Sequence, residues 1–213
     1  MAKIIGLTGG IASGKSTVSE TLRRLGAHII DTDQVAHECI APGMPAWSRI
    51  VEIFGQEVLQ ENQQINRKYL GNIIFFDPEK RECLNSLLHP AILEETARQA
   101  REFAQKYPEG MIVEEIPLLY EIHLEEKVKF DEIWVVWVDR DCQLERLMVR
   151  DGCTLQEAEK RLEAQLPLTQ KAARADVVIN NMGSREDAIK QAETNFFRIQ
   201  HGIGNQSVDK ERI

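Results

Sequence analysis

Near the start of the chain, Gly9-Gly10-Ile11-Ala12-Ser13-Gly14-Lys15-Ser16 places two glycines, a lysine and a hydroxyl at the spacing G-x-x-x-x-G-K-[ST]. The chemistry of that spacing is anion capture. Glycine lets the backbone turn so that successive N–H groups converge on one point. A helix beginning there adds its free N–H groups and its dipole. Lys15 is placed to reach β- and γ-phosphates, Ser16 to hold Mg²⁺, and Thr17 to donate to a further phosphate oxygen. The pattern predicts a nucleoside triphosphate site over Gly9, Gly10, Ile11, Ala12, Ser13, Gly14, Lys15, Ser16 and Thr17.

Other residues could complete a phosphoryl-transfer centre. Asp31 and Asp33 follow the apolar run Ala27-His28-Ile29-Ile30. In an open α/β sheet that position lies at the carboxyl end of a strand, where ligands bind. Two readings stand for the pair: a helix cap, or a carboxylate beside transferred phosphate acting as base or through Mg²⁺. Asp33 is preferred for the second. Glu115 ends the run Met111-Ile112-Val113-Glu114 and could hold a water on Mg²⁺. Arg146 and Arg150 stand at i and i+4 on one helix, with Gln143 on roughly the same face. They are either surface cations paired with Glu145 or Asp151, or guanidinium groups that close on a triphosphate. Arg161 and Gln165 share a face of the following helix. Asn180 and Asn181 end a late strand, a position suited to adenine contacts. Arg81 and His89 flank a helix, His89 at a bend before Pro90; His89 reads equally as a structural residue or a ligand contact.

These residues need elements to hold them. Ile4-Ile5-Gly6-Leu7 reads as a buried strand, and Val18, Leu22 and Leu25 give the next segment a helical period that Gly26 stops. Further strands are expected at 27–30, 111–115, 132–138 and 175–181. Helices are expected from Gln34 to Ile40, Ala46 to Phe54, Ile65 to Phe76, Pro78 to Leu88, Asp139 to Asp151, Leu155 to Leu166 (ended by Pro167), and from Ser184 to about Ile199. Thr154 with Glu157 forms a capping box. Residues 42–106 hold no convincing strand, which suggests a helical insertion for substrate. The basic residues scattered there read as a solvated face.

Composition narrows the class. Hydrophobic residues make up 43% and charged residues 28% of 213, the balance of an ordinary globular chain. A net charge of −8 argues against a general nucleic-acid surface. No apolar run approaches the roughly 20 residues that span a bilayer. Met1-Ala2-Lys3-Ile4 leads straight into the first strand, so no signal peptide and a cytoplasmic location are expected. Cys39, Cys83, Cys142 and Cys153 form no C-x-x-C and read as reduced thiols.

Taken in order, the blocks Gly6-Leu7-Thr8-Gly9-Gly10 through Thr17, Ile30-Asp31-Thr32-Asp33, Leu88-His89-Pro90, Ile116-Pro117-Leu118-Leu119-Tyr120-Glu121, Gln143 with Arg146 and Arg150, and Ala175-Asp176 resemble the dephospho-coenzyme A kinase family over nearly the full length. The resemblance implies an α/β P-loop kinase fold: a five-stranded parallel sheet flanked by helices, a helical substrate-binding insertion and a lid. It implies transfer of the ATP γ-phosphoryl, with Mg²⁺, to the ribose 3′-hydroxyl of dephospho-coenzyme A. It assigns Asp33 as base, Lys15 and Ser16 to phosphate and Mg²⁺, and Arg146 and Arg150 to the lid. Asp33, Arg81, His89 and Leu118 fall on the acceptor side. The domains expected are a nucleotide-binding core of 1–41 with 107–138 and 174–200, an acceptor domain of 42–106, a lid of 139–173 and a flexible tail of 201–213. Ala12 stands where the family usually has Gly, Glu115 where it usually has Asp, and Tyr120 where it usually has Phe. The rival readings are a kinase of another small metabolite, such as a nucleoside or nucleoside monophosphate, and an ATP-binding switch module.

Overall fold

Apolar runs too short for helices become strands: β1 (Lys3–Gly9), β2 (His28–Asp31), β3 (Met111–Glu115), β4 (Glu132–Trp137) and β5 (Val177–Asn180). The computed structural model describes residues 1–203 and places these strands in one sheet of order β2-β3-β1-β4-β5. β1 pairs in parallel with β3, Ile5 opposite Val113, and with β4, Leu7 opposite Trp134. β4 pairs in parallel with β5, Val136 opposite Ile179. Parallel strands are covered on both faces, which is why the runs are apolar throughout rather than alternating. From β1 the chain passes to the edge strand β2, returns to β3 beside β1, then crosses to β4 and β5 on the other side. The carboxyl end of β1 is therefore the point where the strand order reverses, the place where such sheets bind ligands.

Nine α-helices are found among the described residues: α1 (Lys15–Arg24), α2 (Thr32–Cys39), α3 (Pro45–Phe54), α4 (Arg67–Phe76), α5 (Pro78–Lys106), α6 (Arg140–Asp151), α7 (Leu155–Glu163), α8 (Leu168–Arg174) and α9 (Arg185–Gln200). One face of the sheet buries Ile5, Leu7, Met111, Val113, Trp134, Val136 and Ile179 against Val18 and Leu22 of α1 and Ala188, Ala192 and Phe196 of α9. Gly26 closes α1 at φ 101°, a left-handed turn that suits glycine. Thr154 and Glu157 form the expected capping box, and Ser184 and Asp187 form a second one.

The chain divides into two compact units, Met1–Ile30 with the chain from Phe103 on, and Asp31–Glu102. Residues 31–41, expected with the core, group with the helical unit. That unit is built around Ile50, Val58, Ile65, Leu70 and Leu84, with a single isolated bridge, Leu59 to Ile65.

Two stretches differ from expectation. The helix expected to end at Leu88 continues to Lys106 across Pro90. A proline removes one N–H, leaving the carbonyl one turn earlier without its helical donor. Pro90 is exposed, so solvent can serve that carbonyl. The helix expected from Leu155 to Leu166 ends at Glu163, and Pro167 starts α8, its carbonyl accepting from Gln170 and Lys171. Pro167 is the N-cap residue, and its missing N–H removes no bond from the helical ladder. The expected tail of 201–213 lies, from 204 on, outside the described residues. Among the described residues no helix is long and apolar enough to cross a membrane.

Candidate active site

The loop after β1 is held from three sides. Gln165 accepts the Ile11 N–H at 2.8 Å, Gln143 donates to the Ile11 carbonyl at 2.8 Å, and the Asn181 side chain donates to the Ser13 carbonyl at 2.8 Å. Ser13 closes a turn onto the Gly10 carbonyl at 3.1 Å. Ala12 and Gly14 both sit in the left-handed region, at φ 59° and 89°. These contacts explain the glycines. A side chain at Gly9 would come to 2.5 Å from the Ser13 hydroxyl, one at Gly10 would strike the Gln143 amide, and one at Gly14 the Asn181 amide. The strained turn leaves the N–H groups of Ala12, Gly14, Lys15 and Ser16 with no acceptor among the described residues. Such a run of donors at the start of a helix is an anion site.

Lys15 opens α1, and its ammonium is 2.6 Å from the Glu115 carboxylate at the end of β3. Each side chain retains only a sliver of exposure, so removing one partner alone would be costly, because it leaves the other charge buried and unpaired. Ser16 is exposed one residue on, and Thr17 donates its N–H to the Gly14 carbonyl. A hydroxyl and a carboxylate are oxygen donors of the kind a hard cation such as Mg²⁺ takes, so Ser16 and Glu115 have the chemistry of the metal expected from the loop. Leu118, in the turn after β3, is 41% exposed.

The two arginines of α6 part company. Arg146 is half-buried and donates to the Asn181 carbonyl at 2.9 Å, which puts its guanidinium beside Gly14. Arg150 is exposed and donates twice to Asp151, which also takes Arg161 at 2.6 Å. Asn181 is buried and its side-chain nitrogen is committed to the Ser13 carbonyl, so it braces the loop.

Within the helical unit, Asp31 caps α2, accepting from the N–H groups of Asp33 and Gln34. Asp33 lies in the first turn of α2. Arg67 meets His37 and feels the charge of Asp33, which opposes the downward pull of burial on that guanidinium. Nearby, His37, Pro42, Gln60, Asn66, Arg67 and Lys68 border a cavity of about 370 Å³. Arg81 is exposed and His89 half-buried on α5, two turns apart on the unbroken helix.

Several of these roles were out of reach of sequence reading. Arg67 looked like one more solvated cation, because its partners come from another helix. Lys171 is another such residue: it is fully buried, 2.6 Å from Glu121. A signal was present, since Leu168, Ala172 and Ala175 are buried at helical spacing around it. A lysine on an apolar face has to be paired.

A phosphate loop at the switch point of a parallel sheet, with its lysine in place and an arginine beside it, defines a P-loop kinase. The fold is shared with a shikimate kinase from Acinetobacter baumannii (TM-score 0.54, 17% identity, 95% of each chain). The family model for dephospho-CoA kinase matches residues 3–187. A dephospho-CoA kinase from Carboxydothermus hydrogenoformans is 47% identical over 191 residues, 90% of this chain and 91% of that one. The solved dephospho-CoA kinase from Campylobacter jejuni superposes with TM-score 0.73 at 28% identity, covering 95% of this chain and 99% of that one. The chain belongs to the dephospho-CoA kinase family, and it is an enzyme.

Proposed function

We propose that the chain transfers the γ-phosphoryl group of ATP to the ribose 3′-hydroxyl of dephospho-coenzyme A, giving coenzyme A and ADP. The observation that carries this is the phosphate loop with its unengaged N–H groups and Lys15, in a chain of this family. The loop from Gly9 to Thr17 holds the polyphosphate. Lys15 exchanges Glu115 for phosphate oxygen, and Arg146 stands beside Gly14 to balance charge as it moves towards the leaving oxygen. Arg150 serves as the second cation of a lid formed by 139–173 once phosphate replaces Asp151 as its partner. Ser16, and Glu115 through a water, would hold Mg²⁺, which would supply charge neutralisation on the polyphosphate.

The acceptor side falls to the helical unit. Asp33 takes the proton of the 3′-hydroxyl as that oxygen bonds to the γ-phosphorus and the bond to the β–γ bridging oxygen breaks. The basic lining of the cavity at Arg67 and Lys68 suits an acceptor that carries its own pyrophosphate. Arg81, His89 and Leu118 are further candidates for the acceptor side.

The test is acceptor-dependent ADP release from ATP across a panel of dephospho-coenzyme A, nucleosides and nucleoside monophosphates. Strong preference for dephospho-coenzyme A is expected. Equal rates with a nucleoside would move the enzyme to another acceptor, and slow hydrolysis with no stimulation would make it a switch module.

A further inference from the structure

Against the root of the phosphate loop lies a charged group with no part in the phosphoryl-transfer steps described above. Lys171, on α8, has no solvent exposure. Its ammonium is 2.6 Å from a Glu121 carboxylate oxygen, 3.1 Å from the Pro117 carbonyl and 3.5 Å from the Gly9 carbonyl. Gly9 is where β1 becomes the loop. The Pro117 carbonyl also accepts the Thr8 hydroxyl at 3.2 Å, tying the same turn to the end of β1. The Glu121 oxygen that meets Lys171 accepts the Leu166 N–H at 3.0 Å, and the residue before it, Gln165, takes the Ile11 N–H. One buried ion pair thus joins the root of the phosphate loop, the turn after β3 and the stretch between α7 and α8. The second Glu121 oxygen is buried with no partner among the described residues. Burial alone draws the Lys171 ammonium down, Glu121 holds it up, and Lys15 adds like-charge repulsion, so the two lysines share one field.

Buried ion pairs are poor stabilisers. Replacing both partners with neutral groups of similar size is often harmless to the fold, whereas removing one alone is not. Fold stability is therefore a weak reason for a lysine here, and its position under Gly9 is a strong one. We propose that Lys171, held by Glu121, is a positioning residue for phosphoryl transfer. It fixes the root of the phosphate loop against the α7–α8 stem and adds a buried positive charge on the side opposite the polyphosphate. This rests on the reading of the loop as the ATP site.

The experiment compares wild type with the double variant Lys171→Met, Glu121→Gln, which removes both charges while leaving an oxygen for the Leu166 N–H. The expected result is a melting temperature close to wild type, an unchanged KM for dephospho-coenzyme A, and ATP affinity weakened about tenfold, the scale of one charged hydrogen bond. Wild-type ATP affinity and turnover in the folded double variant would overturn the role. Should that variant fail to fold, wild-type protein labelled with ¹⁵N-lysine decides. The Lys171 ammonium resonance, identified by its loss in Lys171→Arg, is expected to shift when ADP is added, and an unmoved resonance overturns the proposal. Failure of the wild type itself to bind ATP would instead overturn the reading of the loop.

Discussion

Glu114 offers a direct check on the physics of the sheet beside the site. It lies on β3 next to Glu115, yet points to the opposite face, as neighbours on a strand must. It is opposite Gly6 of β1, and the space over Gly6 is walled by Leu119 and Phe130. Only 5% of the residue is exposed, and burial pushes its carboxyl from 4.5 up to about 7. At about 1.4 kcal/mol for each pH unit, that displacement corresponds to about 3 kcal/mol. The folded state binds the proton more tightly than the unfolded chain, so stability falls as pH rises from about 4.5 to about 7 and levels off above. Glu114→Gln has no proton to lose. Urea unfolding of both proteins at pH 4.5, 6 and 8 isolates the group, because every other titration cancels in the difference. The variant should gain on the wild type by about 3 kcal/mol between the acid and alkaline ends, or several degrees of melting temperature for a chain of this size. A difference that does not change with pH would refute the reasoning and mean that Glu114 ionises in a hydrated site.

Three further outcomes follow from the geometry. Asp33→Asn should keep ATP affinity, measured by calorimetry, and lose about 10²–10⁴ in kcat, the range for a general base; unchanged turnover removes Asp33 from the chemistry. Arg146→Ala should lower kcat/KM for ATP by about tenfold or more, and Arg150→Ala by less, since only Arg146 already stands at the loop; the reverse order in steady-state kinetics would discard that distinction. The Tyr120 hydroxyl is buried without a partner among the described residues, and its ionisation is pushed up to about 12, burial first. Tyr120→Phe should therefore leave the urea midpoint unchanged or raise stability by up to about 1 kcal/mol; a loss would reveal a bonded hydroxyl.

Much of this was legible in the residues because it is local. The loop spacing, the period of α1, the apolar strands and the Thr154 capping box are short-range patterns, and each appears where the sequence placed it. What the sequence hid is long-range. Nothing in Gln143, Gln165 or Asn181 says that they grip the loop, since their partners are more than a hundred residues away. Arg146 and Arg150 look equivalent by spacing, but a guanidinium bonds to whatever oxygen is nearest, and for Arg150 that is Asp151. Proline misled in both directions: Pro90 does not end α5, and Pro167 begins α8 as well as closing the preceding turn. Glu115, one methylene longer than the family's usual Asp, reaches Lys15.

The position of the new phosphate can be read from the product. ATP, Mg²⁺ and dephospho-coenzyme A are incubated with the enzyme, and the purified product is followed by ³¹P NMR with proton correlation. One new phosphomonoester signal correlated with the ribose H3′ is expected, with matching release of ADP. A phosphate correlated with H2′, or ADP release with no phosphorylated acceptor, would contradict it.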